Sequence, residues 1–301
     1  MPSMIVSVRR RVPKRLRTGA LRLLGRRPTE SQRVVALTLP SRPEGESRTL
    51  TIRTPQRMYI TRLLARSGLA GYEPETLACF LAAIEERGSA PVFDVGANIG
   101  VFSWLAAALT PATVVAFEPT PDLAASMRSI CAENGLAVTV EEVAIGAAPG
   151  TAELYLSDKT DSSNSLRAGF RPSHQSVSVP VETIDGYVAR TGLTPAVLKV
   201  DTESTEPDVL RGAASLLAEN RPWIICEVLA GRTESDLTAI LGTLGYSWYR
   251  IDGPGPLQQR TVIEGDPTYA HMNWLFAPES PSPAFWQAFG AWRSSLAAIA
   301  K

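Results

Sequence analysis

The chain has 301 residues, 45% of them hydrophobic, and a formal net charge of zero. That is enough apolar material for a sizeable core, in one large domain or two small ones. No apolar run approaches the roughly 20 residues of a membrane-spanning helix, the arginine-interrupted start lacks the apolar stretch of a secretory signal, and Cys79, Cys131 and Cys226 with two histidines form neither a disulfide framework nor a zinc pattern.

The charge is unevenly spread. Of 30 basic and 30 acidic residues, residues 1–33 hold ten basic ones against one acid, Glu30, leaving 20 basic and 29 acidic in residues 34–301. This basic arm reads either as a solvated tail or as an amphipathic helix lying on an anionic membrane surface. The body has no basic groove interleaved with aromatics, which argues against nucleic acid. Buried free thiols suit a reducing compartment, so the expected location is cytoplasmic, with the arm a candidate contact to the inner face of the membrane.

Along the chain, 34–39 ("VVALTL") and 48–53 ("RTLTIR") read as short strands separated by a turn-rich stretch. A helix is expected at 74–88, with Pro74 near its start and Gly88 near its end. From residue 91 the pattern alternates: strand 91–95, helix 98–109, strand 113–118, helix 121–135, strand 137–145. After a polar insertion come strand 177–183, a short helix from Ile184, strand 196–201, helix 206–220, strand 223–229 and helix 235–245. Within the insertion, 159–176 is a candidate lid carrying His174. The tail, with Phe285, Trp286, Phe289 and Trp292, predicts a C-terminal helix packed on the body. Strands alternating with helices predict an α/β domain, its mainly parallel sheet covered on both faces and joined by right-handed crossovers.

Ligands of open α/β sheets sit outside the carboxyl ends of the strands. Here those ends carry acids: Asp94, Glu118 and Asp201, with Glu227 inside the next strand. Gly96 permits a tight turn after the first strand, and Gly100 lets the first helix pack closely. Glu118 lies 22 residues beyond Gly96, where a nucleotide-binding fold places a carboxylate on ribose hydroxyls. A dinucleotide site wants G-x-G-x-x-G for its pyrophosphate, but position 98 is Asn. Asp94 would also repel pyrophosphate, whereas it suits a ligand with an ammonium and a sulfonium. The ligand so indicated is S-adenosylmethionine.

The segments "FDVGANIGVFS", "AFEPTP", "LKVDTESTEPDVLRGA" and "PWIICEVL" resemble the FkbM-type S-adenosylmethionine-dependent methyltransferases, together with "GYEPET", "SSNSL" and "NWLFAP". The resemblance covers about 72–278. It implies a Rossmann-like class I methyltransferase fold with a mainly parallel seven-stranded sheet and helices on both faces. It also implies methyl transfer to a hydroxyl, typically of a glycan or glycolipid sugar or a secondary-metabolite scaffold. On this reading 1–33 is the arm, 34–71 an extension of strand and helix, 72–280 the methyltransferase domain and 281–301 the terminal helix. One departure is Ser204, where the family pattern has Gly.

The expected cofactor roles place Glu118, with the adjoining Pro119, at the ribose. Gly96, Ala97, Asn98 and Gly100 lie beneath the methionine portion, Asp94 at its ammonium, and Glu142 or Val143 near the adenine. Lys199, Asp201 and Glu203 fall beside the transferred methyl. In-line displacement by a weakly acidic hydroxyl calls for orientation and a general base, Asp201 first and Glu203 second. Alternatively the pair binds a divalent cation, or Lys199 simply pairs with one acid while Glu203 or Glu206 caps the next helix. Competing functions are N- or C-methylation, a nucleotide-dependent oxidoreductase and a non-catalytic cofactor-binding module.

Overall fold

The computed structural model describes residues 31–41 and 47–300; most of the basic arm lies outside the described residues. The chain opens with an antiparallel pair, β1 (Gln32–Thr38) and β2 (Thr49–Pro55), then α1 (Tyr59–Ser67) and α2 (Pro74–Arg87). The nucleotide-type alternation follows: β3 (Val92–Val95), α3 (Val101–Leu109), β4 (Val114–Phe117), α4 (Pro121–Asn134) and β5 (Val138–Glu141). Next come β6 (Ala144–Ile145), β7 (Gly150–Leu156), β8 (Gln175–Glu182), α5 (Ile184–Thr191) and β9 (Val197–Val200). The last part holds α6 (Glu206–Arg211), α7 (Ala214–Glu219), β10 (Trp223–Glu227), α8 (Glu234–Gly242), β11 (Ser247–Arg250), β12 (Gln259–Arg260), β13 (Asn273–Ala277) and α9 (Pro283–Ala298).

The main sheet has the order β12-β11-β13-β10-β9-β3-β4-β5. Its five strands from β10 to β5 pair in parallel, while β13 runs antiparallel to both β10 and β11. The sheet has eight strands where seven are expected. The extra one, β12, is a two-residue edge pairing on β11, too short to carry a period-2 signal. Alternate residues of the central strands feed two cores. Val92, Ala116, Val197 and Ile225 pack toward α2, α3 and α9, while Phe93, Val115, Leu198 and Ile224 pack toward α5, α7 and α8. Burial on both faces is why these strands read as unbroken apolar runs. Trp274 and Phe276 belong to the second core. The terminal helix α9 docks on α2, where the Trp292 indole donates to Glu85 at 3.0 Å and Arg293 to Glu75 at 2.7 Å.

Three expected elements are interrupted. Helix 98–109 begins only at Val101, because Gly96, Asn98 and Gly100 all have positive φ and form a loop. The strand expected at 137–145 breaks at Glu142–Val143; β5 stays in the main sheet while β6 joins β8 and β7 in a separate three-stranded sheet. β7 itself was hidden in the polar insertion, since Leu154 is its one fully buried side chain. The helix expected at 206–220 divides at Gly212, where a Cβ would stand 2.1 Å from the Gly146 carbonyl oxygen. That close approach of two backbones joins the small sheet to the main one.

The chain runs outward from β3 through β4 to β5, then returns to place β9 on the other side of β3. The β3/β9 boundary is therefore the topological switch point, where ligands of such sheets bind. All three cysteines are buried free thiols.

Candidate functional site

Two adjoining cavities open at the switch point. The first encloses about 520 Å³ of empty space, part of it open to solvent. The second is larger, about 1040 Å³, and lies toward α1 and the turn before α2. They share Gly96, Asn98, Ser162, Asp201 and Glu203.

Glu118 stands in the first cavity, 5% exposed, at the end of β4. Its Oε2 accepts the Asn98 backbone N–H and its Oε1 that of Thr120, each at 2.8 Å. Burial raises its proton affinity, and these N–H donors oppose the rise. Among the described residues no cation pairs with it, and its remaining lone pairs are available to a ligand's hydroxyls. Pro119 and Val143 line the same cavity beside Ile145 and Leu154, an apolar wall suited to a flat base. Glu142 does not line it. The break after β5 turns its carboxylate outward to Arg128, at 2.8 Å. Of the two residues expected at the adenine, the cavity takes Val143.

The glycine loop divides its work. A Cβ on Gly96 would stand 1.8 Å from the Asp201 carbonyl oxygen, so only glycine lets the ends of β3 and β9 meet. Ala97 lines the second cavity and Asn98 both. Gly100 lines neither; a side chain there would strike Met127 of α4 and Trp104 of α3, so its role is packing. Asp94 also lines the second cavity, but its Oδ2 is engaged by the Ser103 N–H and hydroxyl at 3.1 and 2.6 Å. Burial pushes Asp94 up to about 6, against the Ser103 bonds and Lys199.

Lys199 is 1% exposed, with Nζ 3.0 Å from Asp201 Oδ2 and 4.9 Å above the Phe102 ring. Burial alone would lower its proton affinity, but Asp201 and Glu73 overcome that and raise it, so it is a fixed ammonium. Glu203 lies at the junction and is pushed up to about 8 by burial and by Asp201, with Arg171 opposing. Glu203 and Ser204 both occupy the left-handed region, at φ 56 and 87. The family Gly position is thus one where glycine would be relaxed and serine is strained. Glu206 pins this loop: its Oε1 accepts the N–H groups of Thr202 and Ser204, at 2.8 and 3.1 Å. It is the structural clamp among the acids of this segment, pushed up to about 7 by burial.

Two further acids belong to the site. Glu73 precedes α2 with φ 44 and makes no capping bond; its Oε2 instead accepts from Asn273 Nδ2 at 3.0 Å. Burial pushes it up to about 7, with Lys199 opposing and Asp201 adding to the rise. Glu73 is not among the site residues expected from the sequence; the signal was the "GYEPET" stretch itself. Glu227 ends β10, and its buried Oε2 has no hydrogen-bond partner. Among the described residues, no group of three or more His, Cys, Asp or Glu side chains is arranged to hold a metal ion. His174 is exposed and paired with Asp158, and no described helix is long and apolar enough to cross a membrane.

The FkbM methyltransferase domain model matches residues 94–249, which includes Glu118 and the Lys199–Glu206 segment. The 31-O-demethyl-FK506 methyltransferase FkbM of Streptomyces tacrolimicus is 29% identical over 67% of this chain and 78% of its own length. Methyltransferase 1 of Beauveria bassiana is 28% identical over 40% of this chain, which spans 57% of that protein. Among solved structures, methyltransferase FkbM from Methylobacillus flagellatus matches with 17% identity and a TM-score of 0.41, over 63% of this chain and 43% of that one. The Glu118 carboxylate, set beside an apolar wall, fits an adenosine, and the acid-lined second cavity fits a sulfonium and an ammonium. The chain belongs to the FkbM methyltransferase family and is an S-adenosylmethionine-dependent methyltransferase.

Proposed function

We propose that the protein methylates oxygen, carrying the methyl group to a hydroxyl of a glycan or glycolipid sugar or of a secondary-metabolite scaffold. The observation that carries this reading is Glu203. It lies at the junction of the two cavities with a proton affinity raised to about 8, close to the working range of a general base. Asp201, the other candidate, is bound to the Lys199 ammonium, which suits it to an orienting role. The second cavity adds Tyr59, Tyr72 and Phe102 to its carboxyls, a mixture of aromatic faces and hydrogen-bond acceptors suited to a polyhydroxylated acceptor. The name of the Streptomyces relative denotes methylation at oxygen, which supports the same reading.

The test is incubation with methyl-labelled S-adenosylmethionine and a panel of hexoses, deoxyhexoses, glycolipids and macrolides, followed by mass spectrometry of the product. A methyl ether is expected; label on nitrogen or carbon sinks the proposal. We propose further that the protein works at the cytoplasmic face of the membrane, with the basic arm 1–33 in contact with anionic lipid. Co-sedimentation with phosphatidylglycerol vesicles should then fall on deletion of the arm.

A further inference from the structure

The second cavity holds more carboxyl groups than a neutral acceptor requires. Glu73 enters from the turn before α2, Asp94 from β3, Asp201 from just past β9, Glu203 from the following loop and Glu227 from β10. Lys199 is the one cation lining it among the described residues, and its charge is taken up by Asp201. Glu227 is 5% exposed and has an oxygen with no partner. Glu73 is held through one oxygen only, by a neutral amide. Buried carboxyls left this way are costly unless a guest completes them, and the completing guest is a cation.

Donor and product of the reaction differ in that respect. S-adenosylmethionine carries a sulfonium; S-adenosylhomocysteine carries a neutral thioether; their adenosine, ammonium and carboxylate groups are the same. An adenosine in the first cavity meets Glu118 in either ligand. Only from the junction onward, starting at Gly96, Asn98, Asp201 and Glu203, can the two be told apart.

We propose that Glu73 and Glu227 are specificity-determining residues: from the second-cavity side they select the sulfonium donor over its thioether product. Both residues act at a distance from the adenosine site, and Glu73 lies outside the matched family segment. The proposal rests on the adenosine occupying the first cavity, as in the proposed function.

The choice carries a pH dependence. Besides each other, these acids face Lys199 from β9, Asp201 just past it, Asp94 from β3, and Tyr59 and Tyr72 from the N-terminal segment. Behind Glu203 stand Arg171 and Glu206. Glu73 is pushed up to about 7 and Glu227 above its ordinary range, both by burial first, so near neutrality the empty cavity retains protons. Both ligands bring the same ammonium, and only the donor adds a sulfonium, so the donor expels more of these protons than the thioether does.

The experiment is isothermal titration of the full chain with each ligand separately, at about pH 6 and about pH 8, in two buffers of different ionisation enthalpy. S-adenosylmethionine should release more protons than S-adenosylhomocysteine. The affinity ratio should rise about tenfold in favour of the donor between the two pH values. Glu73→Gln and Glu227→Gln should each weaken the donor about tenfold and the product less than about twofold. Glu118→Ala, by contrast, should weaken both ligands alike, which reports on the adenosine site independently. Equal weakening of both ligands by the Gln variants, or a ratio flat with pH, overturns the proposal. Should a Gln variant fail to fold, the wild-type ratio decides. A wild-type protein that binds neither ligand removes the cofactor assignment as well.

Discussion

The backbone N–H of Asn98 donates to Glu118 Oε2 at 2.8 Å, tying the loop after β3 to the end of β4. Glu118 therefore does two things: it offers oxygens to the first cavity and it holds the glycine loop in shape, with Asn98 in the left-handed region at φ 54. Glu118→Ala should lose both. S-adenosylmethionine affinity should fall at least about tenfold, or ~1.4 kcal/mol, by isothermal titration. Unchanged affinity would mean that the ribose hydroxyls are held elsewhere.

Glu203 and Asp201 should separate kinetically. Glu203→Gln keeps the shape and removes the proton acceptor, so kcat should fall about a hundredfold or more while donor affinity stays within about threefold. The wild-type rate should rise with pH and level off at or below about 8, because a general base works only when deprotonated and a bound cation lowers its proton affinity. Asp201→Asn should lower kcat and move that inflection to lower pH, because the Asp201 charge is one of the causes that hold Glu203 up. An inflection that persists in Glu203→Gln would assign the base to another group.

The parallel core strands and the donor class were legible because each rests on local chemistry. Buried strands demand unbroken apolar runs, and Glu118 falls at a fixed distance beyond Gly96. What stayed hidden depends on contacts distant in sequence. Glu73 joins the site only because β13, 200 residues later, brings Asn273 to its carboxylate. Glu142 and Val143 are neighbours in a strand-like run, and only the transfer of the chain to β8 decides which one faces the cavity. From the sequence, Gly100 is expected both to let the first helix pack and to lie beneath the methionine portion; it lines neither cavity, and the packing partner that requires a bare Cα is Met127 on another helix.

Ser204 predicts a stabilising substitution. At φ 87 a side chain is strained, and its buried hydroxyl has no partner. Ser204→Gly removes both costs, against the greater freedom of glycine in the unfolded chain. The net gain should be about 1 kcal/mol by urea unfolding. The Ser204 N–H to Glu206 bond is a backbone donor and survives the change. A loss of stability would show that the serine is held in place by something other than the loop.

The acids of the site also set how stability depends on pH. Asp94 is pushed up to about 6, Glu73 and Glu206 to about 7 and Glu203 to about 8, in each case by burial first. In the unfolded chain such groups release their protons near about pH 4. Between about pH 4 and 8 the folded state therefore binds more protons than the unfolded state, and stability must fall as pH rises through that window. Asp266, lowered to about 2, acts in the opposite sense, but its contribution is lost only on acidification below its ordinary range. Lys199, raised, stays charged throughout and contributes no slope there. The urea midpoint of the cofactor-free protein should thus be higher at about pH 5.5 than at about pH 8. Glu203→Gln should flatten the upper part of the fall, and saturating S-adenosylmethionine should reduce it by supplying the cation the ionised acids lack. A midpoint that climbs with pH across the window would mean that these carboxyls are already ionised in the folded protein.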